Sequence, residues 1–359
     1  MPDATTFKIE CPLPAPPSPT IVAVEAQSHP YGECFYLALE KIGARVVNGL
    51  FSIRWLPKHL NAGDFVHLHW PSFFYAGART RLGVLFQFTY FVTLLFFIRM
   101  RGGKLLWTAH NLLPHAATPI PGIDCLGRRI VIALSHRIFV HSMSAAPVIE
   151  ERFPRARGKI ALIQHGHWVD YYPRTQTKRQ ARDKLRLPPD AFVFLFIGQC
   201  REYKNIHGLV KAYRDLSLNS ILLIAGKFQQ DDYQKNILAM ADGDERIRIF
   251  AHFIPDRELQ DFLCACDCVV LPYLDILTSG AAMLALSFGR PVVSVRLGCL
   301  PDLIIDEVGV LFDPKDPDGL RGALIAIKDR QFDERRILTH ARTFSWSDSA
   351  KAFIQALDE

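Results

Sequence analysis

The chain alternates short apolar, β-branched runs with longer stretches of helical periodicity. In the first half the predicted strands are residues 20–25, 64–70, 104–109, 137–141 and 159–164. Helical stretches lie between them, the clearest at residues 32–42 and 82–98. A polar, turn-rich stretch at 172–180 then predicts a linker. Strands that alternate with helices in this way imply parallel βαβ units.

The same alternation resumes after the linker. Strands are predicted at residues 192–197, 220–225, 246–251, 268–271 and 291–295, with a helix at 205–216. The predicted fold class is therefore α/β, with two doubly wound, Rossmann-like parallel-sheet domains that face a cleft. The predicted boundaries are a flexible proline-rich leader at 1–19, domains at 20–172 and 183–340, and a C-terminal helix at 341–359.

One predicted helix raises the question of a membrane. The segment from Leu82 to Ile98 has seventeen residues without a charge, and arginines flank it on both sides. At 1.5 Å per residue it would span about 26 Å, slightly less than a hydrocarbon core of about 30 Å. A single pass would split a domain, so we expect a helix that packs on the sheet. It either leans on the membrane surface with its arginines towards lipid phosphates or belongs wholly to the core.

Composition narrows the function classes. The chain has 359 residues, 49% of them hydrophobic and 22% charged, which excludes a disordered chain. A net charge of +6 suits a phosphate-bearing ligand or an anionic membrane, but is too small to indicate nucleic acid. Eight cysteines are too few for a disulfide scaffold and favour the cytoplasm. The cluster Cys264, Cys266 and Cys268 lacks zinc-site spacing and reads as a helix end and a buried strand.

Two loops that follow strands carry candidate chemistry. After the strand at 192–197 come Gly198, Arg201 and Lys204, and two cations near a helix start favour an anionic ligand because they oppose the helix dipole. After the strand at 268–271, the string Thr278-Ser279-Gly280 opens an alanine-rich helix, which is typical of an anion-binding helix N-terminus. Together the two loops predict a cradle for a diphosphate.

The string from Pro272 to Val293, with the Gly198 to Lys204 loop, resembles the donor-site signature of GT-B glycosyltransferases, especially glycosyltransferase family 4. The resemblance covers essentially the whole chain after the leader. It implies that residues 20–172 bind the acceptor, that residues 183–340 bind a nucleotide-sugar donor, and that the C-terminal helix crosses back. It also implies that Arg201 and Lys204 hold the diphosphate with the amides of Thr278, Ser279 and Gly280, and that backbone around Phe253 and Ile254 meets the base.

The chain departs from the family-4 pattern at two positions. Family 4 usually carries two glutamates eight residues apart near this helix, and their places fall on Ile276 and Leu284. The carboxylate that usually grips the donor sugar is absent, which puts the retaining chemistry of that family in doubt.

The first half is similar to the mannosyltransferases of xanthan-type exopolysaccharide assembly (family 94). The strings that carry this likeness start at His67, Thr108 and Gln164 and are rich in histidine. The likeness implies an inverting bacterial enzyme that uses GDP-mannose. Histidines near strand ends favour a polar acceptor or sugar pocket. The predicted pocket residues are Tyr31, Gly32, His69, Asn111, His165 and His167.

Inverting transfer needs a base that deprotonates the acceptor hydroxyl. The candidates are His29 and His110, with Asp170 a third, whereas a retaining mechanism needs no such base. No Asp-x-Asp motif lies beside the predicted diphosphate site, so we expect no metal or other cofactor, with protein cations balancing the leaving group.

The resulting hypothesis is a metal-independent glycosyltransferase, peripheral on the inner face of the cytoplasmic membrane. It would transfer a sugar, with mannose from GDP-mannose favoured, to a lipid-linked saccharide in exopolysaccharide or glycolipid synthesis. The alternatives are a retaining, UDP-sugar-using enzyme and a non-catalytic sugar-nucleotide or glycan-binding assembly protein. A sugar-nucleotide epimerase ranks last.

Overall fold

The computed structural model describes residues 19–24, 29–114, 118–216 and 219–358. The leader up to residue 18 and His115 of the second histidine-rich string lie outside the described residues. The described chain forms two lobes, each built on one six-stranded sheet in which every strand pair is parallel. Both sheets are covered on their two faces, which is why most strands are buried from end to end.

The N-terminal lobe has the strand order β2-β1-β3-β4-β5-β6. Its elements are β1 (Ile21–Val24), α1 (Pro30–Lys41), β2 (Val46–Gly49), α2 (Leu56–His59), β3 (Phe65–Leu68), α3 (Arg81–Met100), β4 (Lys104–Thr108), α4 (Ile123–Leu134), β5 (Ser135–Val140), α5 (Ala145–Arg152) and β6 (Ile160–Leu162). Short 3₁₀ turns follow β3 at Pro71–Phe74 and α5 at Pro154–Ala156.

The C-terminal lobe has the order β12-β11-β10-β7-β8-β9. Its elements are α6 (Lys178–Lys184), β7 (Phe192–Ile197), α7 (Ile206–Arg214), β8 (Ser220–Ala225), α8 (Asp231–Ala241), β9 (Ile247–Phe250), α9 (Leu259–Ala265), β10 (Cys268–Leu271), α10 (Gly280–Ser287), β11 (Val292–Val295), α11 (Leu300–Leu303), β12 (Gly309–Phe312), α12 (Gly319–Asp329), α13 (Glu334–Arg342) and α14 (Trp346–Asp358). The 3₁₀ turns of this lobe are Glu202–Lys204 and Asp256–Glu258.

The two doubly wound sheets confirm the predicted fold class. The strands predicted at 192–197, 220–225 and 268–271 have the same bounds in the structure. The strand predicted at 137–141 is β5, which begins two residues earlier and ends one residue earlier, and the other predicted strands are shorter by one to three residues. The stretch predicted as a linker is only partly irregular, since α6 begins at Lys178 and packs against α9.

The predicted 82–98 helix is α3, and it packs on β4 and α4. Val84, Phe88, Phe91, Leu94, Leu95 and Ile98 form its buried face. Within the described ranges α3 alone has the length and apolar composition of a membrane span, and a third of that window is buried. Cys264, Cys266 and Cys268 are buried around the end of α9 and the start of β10, and the described residues hold no metal-binding cluster.

Helix α14 follows the C-terminal lobe but packs on α1 of the N-terminal lobe. The Trp346 indole Nε1 donates a hydrogen bond to the carbonyl of His167 at 2.7 Å. A Cβ on Gly166 would lie 2.1 Å from the same indole, so this close contact requires glycine. The chain therefore crosses between the lobes twice, once forward near residue 170 and once back at Trp346.

Candidate active site in the cleft between the lobes

Two cavities lie between the lobes at the carboxyl ends of the strands. The larger, of about 700 Å³, has Asn111 and Ser144 on one side and Arg201, Tyr203 and Asp275 on the other. The smaller, of about 280 Å³, is lined by residues that include His141, His165, Thr278, Ser279 and Asp302. Parallel α/β sheets bind ligands at this end of their strands, so the cleft is the candidate active site.

The loop after β7 holds two cations against the cleft. Gly198 has φ +127°, a conformation that disfavours side chains, and a Cβ there would lie 3.3 Å from the Lys204 ammonium. That ammonium lies 5.9 Å from the Phe196 ring centroid and 5.7 Å from that of Tyr273. Burial lowers the pKa of Lys204 to about 8. The amine is therefore mostly charged at pH 7, although it has lost much of its hydration.

Neither cation of this loop pairs with a carboxylate among the residues that the structure describes. The Arg201 Nε donates instead to the side-chain oxygen of Gln199 at 3.2 Å. The Lys204 ammonium is partly desolvated, and the neighbouring Arg201 guanidinium repels it. This repulsion adds to the effect of burial and lowers the pKa of Lys204 further. A bound anion would relieve both costs.

The N-terminus of α10 lies near the hydroxyl of Tyr273, whose ring is 5.7 Å from the Lys204 ammonium. Ser279 caps the helix, with its Oγ accepting from the Ala282 amide at 3.2 Å. The Tyr273 hydroxyl lies 3.5 Å from that Oγ. Because the same ring faces Lys204, the cationic loop and the helix N-terminus converge around Tyr273. Free amides and a positive helix end favour phosphate oxygens at this place.

The two positions where family 4 carries glutamates hold apolar side chains. Ile276 lines the larger cavity, and Leu284 is partly buried on α10. The adjacent Asp275 also lines that cavity, as does Tyr203. Asp275 therefore offers a carboxylate to this cavity one residue before Ile276, the position where family 4 carries a glutamate. A comparison that matches the motif residue by residue misses it.

Several predicted histidines come together beneath the cleft. His67 and His69 lie on and just after β3, and Thr108 and His110 lie at the end of and just after β4. Residues two apart on a strand share a face of the sheet, and β3 and β4 are neighbours. The side chains therefore meet on the face that α1 covers, where Tyr36 of α1 lies buried against them.

These side chains form one buried chain of hydrogen bonds, which we call the histidine chain: Thr108, His67, Tyr36, His69 and His110. His67 Nε2 lies 2.8 Å from Thr108 Oγ1, and His67 Nδ1 lies 2.9 Å from the Tyr36 hydroxyl. The hydroxyl lies 2.8 Å from His69 Nε2, and His69 Nδ1 lies 2.9 Å from His110 Nε2. The chain therefore runs through five side chains and occupies His110 Nε2.

Burial keeps these imidazoles neutral. It lowers the pKa of His67 to about 3 and places the pKa values of His69 and His110 well below the usual range, with neighbouring histidines adding to each shift. At neutral pH each ring thus carries one hydrogen and one lone pair. A neutral imidazole is the form that a general base requires.

Two further histidines face the smaller cavity with a defined tautomer. His141 Nδ1 donates to the Ile163 carbonyl, and His165 Nδ1 donates to the Gly166 carbonyl, both at 2.8 Å. Burial lowers the pKa of His141 to about 4 and that of His165 to about 3. The Nε2 atoms are therefore hydrogen-bond acceptors. A Cβ on Gly280 would lie 3.9 Å from His165 Nε2, so this nitrogen faces the start of α10.

The structure also brings together other predicted pocket residues. Tyr31 lies buried at the centre of the aromatic cluster, with its ring 4.7 Å from His110 and 5.2 Å from His165. Gly32 is buried beside it in the first turn of α1. Asn111 follows His110 and lines the larger cavity.

His29 caps α1, with its Nδ1 accepting from the Tyr31 amide at 3.2 Å, and its ring lies 5.1 Å from that of Trp70, which stacks on His110. Its role as a base stays a prediction. Three other predicted residues lie elsewhere. His167 Nδ1 accepts from the Val169 amide in the crossing between the lobes. Phe253 is exposed and Ile254 buried, and neither lines either cavity. Their predicted contact with a base stays a prediction.

Asp170 lies in an exposed turn with φ +69°, where its carboxylate is 3.8 Å from Arg342. It lines neither cleft cavity, and neither does the buried His110. His110, however, belongs to the histidine chain and directly precedes Asn111 of the larger cavity, whereas Asp170 lies in the crossing between the lobes. The sequence in turn gave no reason to select Tyr36, His141 or Tyr273. The spacing of Tyr36 on the buried face of α1 is the one available signal, and it indicates only burial.

Comparisons with known proteins agree with this architecture. Residues 177–343 match the family model described as glycosyl transferases group 1. Similar solved structures include sucrose-phosphate synthase from Thermosynechococcus elongatus, with a TM-score of 0.70 at 16% identity over 95% of this chain and 98% of that one. Another is Anabaena HepE in complex with UDP and glucose, with a TM-score of 0.66 at 15% identity over 94% and 99%. The fold is therefore that of the GT-B glycosyltransferases, and the C-terminal lobe matches the family model for glycosyl transferases group 1.

Two curated relatives are more similar in sequence. D-inositol 3-phosphate glycosyltransferase 1 of Catenulispora acidiphila is 29% identical over 278 residues, which cover 70% of this chain and 65% of that protein. GDP-mannose:glycolipid 4-beta-D-mannosyltransferase of Xanthomonas campestris is 26% identical over 276 residues, covering 75% and 70%. The chain thus spans slightly less than two thirds of the length of the first of these relatives.

Proposed function

We propose that the protein transfers a sugar from a nucleoside-diphosphate donor to a lipid-linked saccharide at a membrane surface, with mannose from GDP-mannose the favoured donor. The observation that carries the proposal is the pair Arg201 and Lys204, which lacks carboxylate partners among the described residues: Arg201 lines the larger cavity, and Lys204 adjoins Tyr273, as does the capped N-terminus of α10. This arrangement fits the two charges of a diphosphate. The relative named for GDP-mannose and glycolipid supports the choice of donor and acceptor.

The reaction that we propose is an inverting displacement. The acceptor oxygen forms a bond to C1 of the sugar, while the bond from C1 to the phosphate oxygen breaks and its electron pair leaves with the nucleoside diphosphate. The acceptor proton passes to His110 Nδ1, since Nε2 faces His69. Arg201, Lys204 and the first amides of α10 offset the charge on the leaving group, so we expect activity in the presence of a chelator.

The surface of α3 supports an acceptor held at a membrane. Opposite its buried face the helix exposes Leu82, Phe86, Phe96 and Met100, whose side chains are between 51% and 81% exposed. At about 100° per residue these four side chains share one face over about 27 Å, two near each end of the helix with Thr89 and Thr93 between them, and exposed arginines stand at both ends. An apolar stripe between cations fits the boundary between acyl chains and anionic headgroups on the inner face of the cytoplasmic membrane.

The test of transfer uses the purified full chain, a panel of GDP- and UDP-sugars, and a membrane extract as the source of acceptor. We expect GDP-mannose to raise the melting temperature and to label a lipid fraction, with and without EDTA. Arg201→Ala and Lys204→Ala should each weaken nucleotide-sugar binding by about 10-fold or more, because each removes a charged contact. Lys211→Ala, on the exposed surface of α7 outside the cleft, is the matched control.

Unchanged binding in both cleft variants, with no transfer from any donor, would contradict the proposal. Transfer from a UDP-sugar with retention would favour the family-4-like alternative. Tight binding without turnover would favour a non-catalytic binding protein, for which the apolar residues Ile276 and Leu284 are the specific observation.

A further inference from the structure

We propose that Tyr36 is a positioning residue, which sets the tautomer of His110 through the histidine chain. In the proposed arrangement His110 carries its hydrogen on Nε2 and leaves Nδ1 unprotonated towards the acceptor. The inference rests on the proposed function for the role of His110, but the tautomer itself is measurable without turnover.

The geometry allows two arrangements of hydrogens along the chain. Each of its four contacts is 2.8 or 2.9 Å long and joins two groups that can each donate or accept. Since each neutral imidazole carries one hydrogen, a donor at one nitrogen makes the other nitrogen an acceptor. The Tyr36 hydroxyl has one hydrogen, and a buried hydroxyl hydrogen without an acceptor is costly, so it donates to one of its two histidines and accepts from the other. The direction of the bonds is therefore the same from Thr108 to His110, and all of them reverse together.

In the first arrangement every hydrogen points away from the cleft. His110 Nε2 donates to His69, His69 Nε2 donates to Tyr36, the Tyr36 hydroxyl donates to His67 Nδ1, and His67 Nε2 donates to Thr108 Oγ1. His110 Nδ1 is then bare. In the second arrangement every bond is reversed, and His110 Nδ1 carries the hydrogen. A base requires the first arrangement.

The chain does not carry the acceptor proton away. Moving a positive charge from His110 to the far end would leave it on His67, which is fully buried and whose pKa burial lowers to about 3. The proton taken up at Nδ1 therefore leaves through the cleft. What the buried part of the chain supplies is the direction of the hydrogen bonds.

Removing the Tyr36 hydroxyl should reverse the tautomer of His110. In Tyr36→Phe, a hydrogen on His69 Nε2 would face the phenyl ring, and a buried N–H without an acceptor costs more than a buried lone pair. His69 should therefore move its hydrogen to Nδ1 and donate to His110 Nε2. The hydrogen of His110 would then lie on Nδ1, where it blocks the base.

The far end of the chain provides an independent variant. Thr108→Val keeps the side-chain shape but removes the acceptor for His67 Nε2, so His67 should donate from Nδ1 to Tyr36 instead. Each later bond then reverses in turn, with the same outcome at His110. Thr108→Ser restores the hydroxyl and should restore the first arrangement. A purely structural role of Thr108 does not predict that a substitution four hydrogen bonds away changes a tautomer.

The experiment measures the two ring nitrogens of His110 by long-range proton–nitrogen NMR on the full chain labelled with ¹⁵N-histidine, with His110→Gln assigning the signals. We expect bare Nδ1 in the wild type and in Thr108→Ser, and protonated Nδ1 in Tyr36→Phe and Thr108→Val. In the same two variants kcat should fall about 10²-fold or more, while KM for the donor changes by less than about 3-fold.

Tyr213→Phe is the matched control. Its hydroxyl is equally buried in the C-terminal lobe and donates to the Ser220 carbonyl at 2.7 Å, so its loss should lower stability without moving the His110 signals. Protonated Nδ1 in the wild type, or unchanged signals in folded Tyr36→Phe and Thr108→Val, would overturn the proposal. A reversed tautomer with unchanged kcat would support the chain and instead contradict His110 as the base.

Discussion

At the scale of single residues, desolvation determines what the histidines can do. His67, His69, His110 and His141 are all at least nine-tenths buried, and burial is the largest cause of the low pKa of each. They therefore act as neutral hydrogen-bonding groups in the free protein. A diphosphate in the cleft would bring negative charge near His110 and raise its pKa, which favours proton uptake at the time of transfer.

The buried histidines predict acid sensitivity well above the range in which carboxylates titrate. In the unfolded chain a histidine has a pKa of about 6.5, so unfolding takes up protons below that pH and the folded state loses stability. Each such residue should remove about 0.7 kcal/mol between pH 7 and pH 6, with the loss continuing towards the folded pKa values near 3 and 4. Urea unfolding at a series of pH values measures the slope.

The control for the pH dependence of the free energy of unfolding is His67→Gln. It removes one of the groups that bind a proton on unfolding. It should flatten the curve between pH 7 and pH 6, whatever its effect on stability at pH 7. If the free energy of unfolding of the wild type does not change between pH 7 and pH 6, these histidines are not held neutral in the folded protein.

Residue-scale chemistry was only partly predictable. From the sequence, His69, His110 and His165 follow strands and therefore lie at the cleft end of the sheet, because a strand end is a local property; of the three, His165 lines a cavity. It did not distinguish them from His29 and His167, which also adjoin elements of regular structure but serve as a helix cap and a crossing contact. In the histidine chain, which nitrogen of each ring is occupied depends on partners 31 to 41 residues away in the sequence.

At the scale of elements, α3 has two apolar faces with different environments. One is packed into the N-terminal lobe, and the other exposes Leu82, Phe86, Phe96 and Met100. Its all-round apolar sequence predicted both a core helix and a surface helix. The structure shows one helix that is partly buried, with its second face exposed to solvent.

This exposed face predicts reversible binding to anionic vesicles. Phe86 is 75% exposed. Phe86→Glu replaces its apolar ring with a negative charge, which the anionic headgroups repel. Loss of about 1.4 kcal/mol or more of apolar burial should weaken partitioning into phosphatidylglycerol vesicles by roughly 10-fold. Co-sedimentation measures the effect.

Leu238→Glu is the matched control, since Leu238 is 45% exposed on α8 in the other lobe. It should leave partitioning unchanged. Equal partitioning of Phe86→Glu and the wild type would show that α3 is not the membrane contact.

At the scale of the whole molecule, the lobes are joined by contacts that are distant in sequence. The C-terminal crossing packs Trp346 against Gly166, and Ser144 Oγ donates to the Gly298 carbonyl at 2.8 Å across the cleft. Leu277 of the C-terminal lobe also lies buried in the N-terminal core. The geometry of the cleft thus depends on a few small side chains and on one indole.

Gly166→Ala should disturb that geometry. The new methyl group would lie 2.1 Å from the Trp346 ring, which must move, at a cost of about 1–3 kcal/mol. We expect a lower melting temperature and reduced transfer. Gly322→Ala, in α12 with nothing within 4 Å of its Cβ, is the control and should leave stability unchanged or raise it by about 0.5–1 kcal/mol. Equal melting temperatures of Gly166→Ala and the wild type would contradict the close contact.

The sequence by itself determined the two parallel sheets, the residues that follow their strands, and the cationic loop opposite a helix N-terminus. These features are local, because strand and helix periodicity and the strand-end position are encoded within a few consecutive residues. The tertiary structure alone decided that Lys204 is desolvated beside Tyr273, that Tyr36 joins two histidines, and that half of α3 remains exposed. Each of these depends on packing between distant elements, and the amount of water that packing excludes determines the charge and the hydrogen-bond direction of each group.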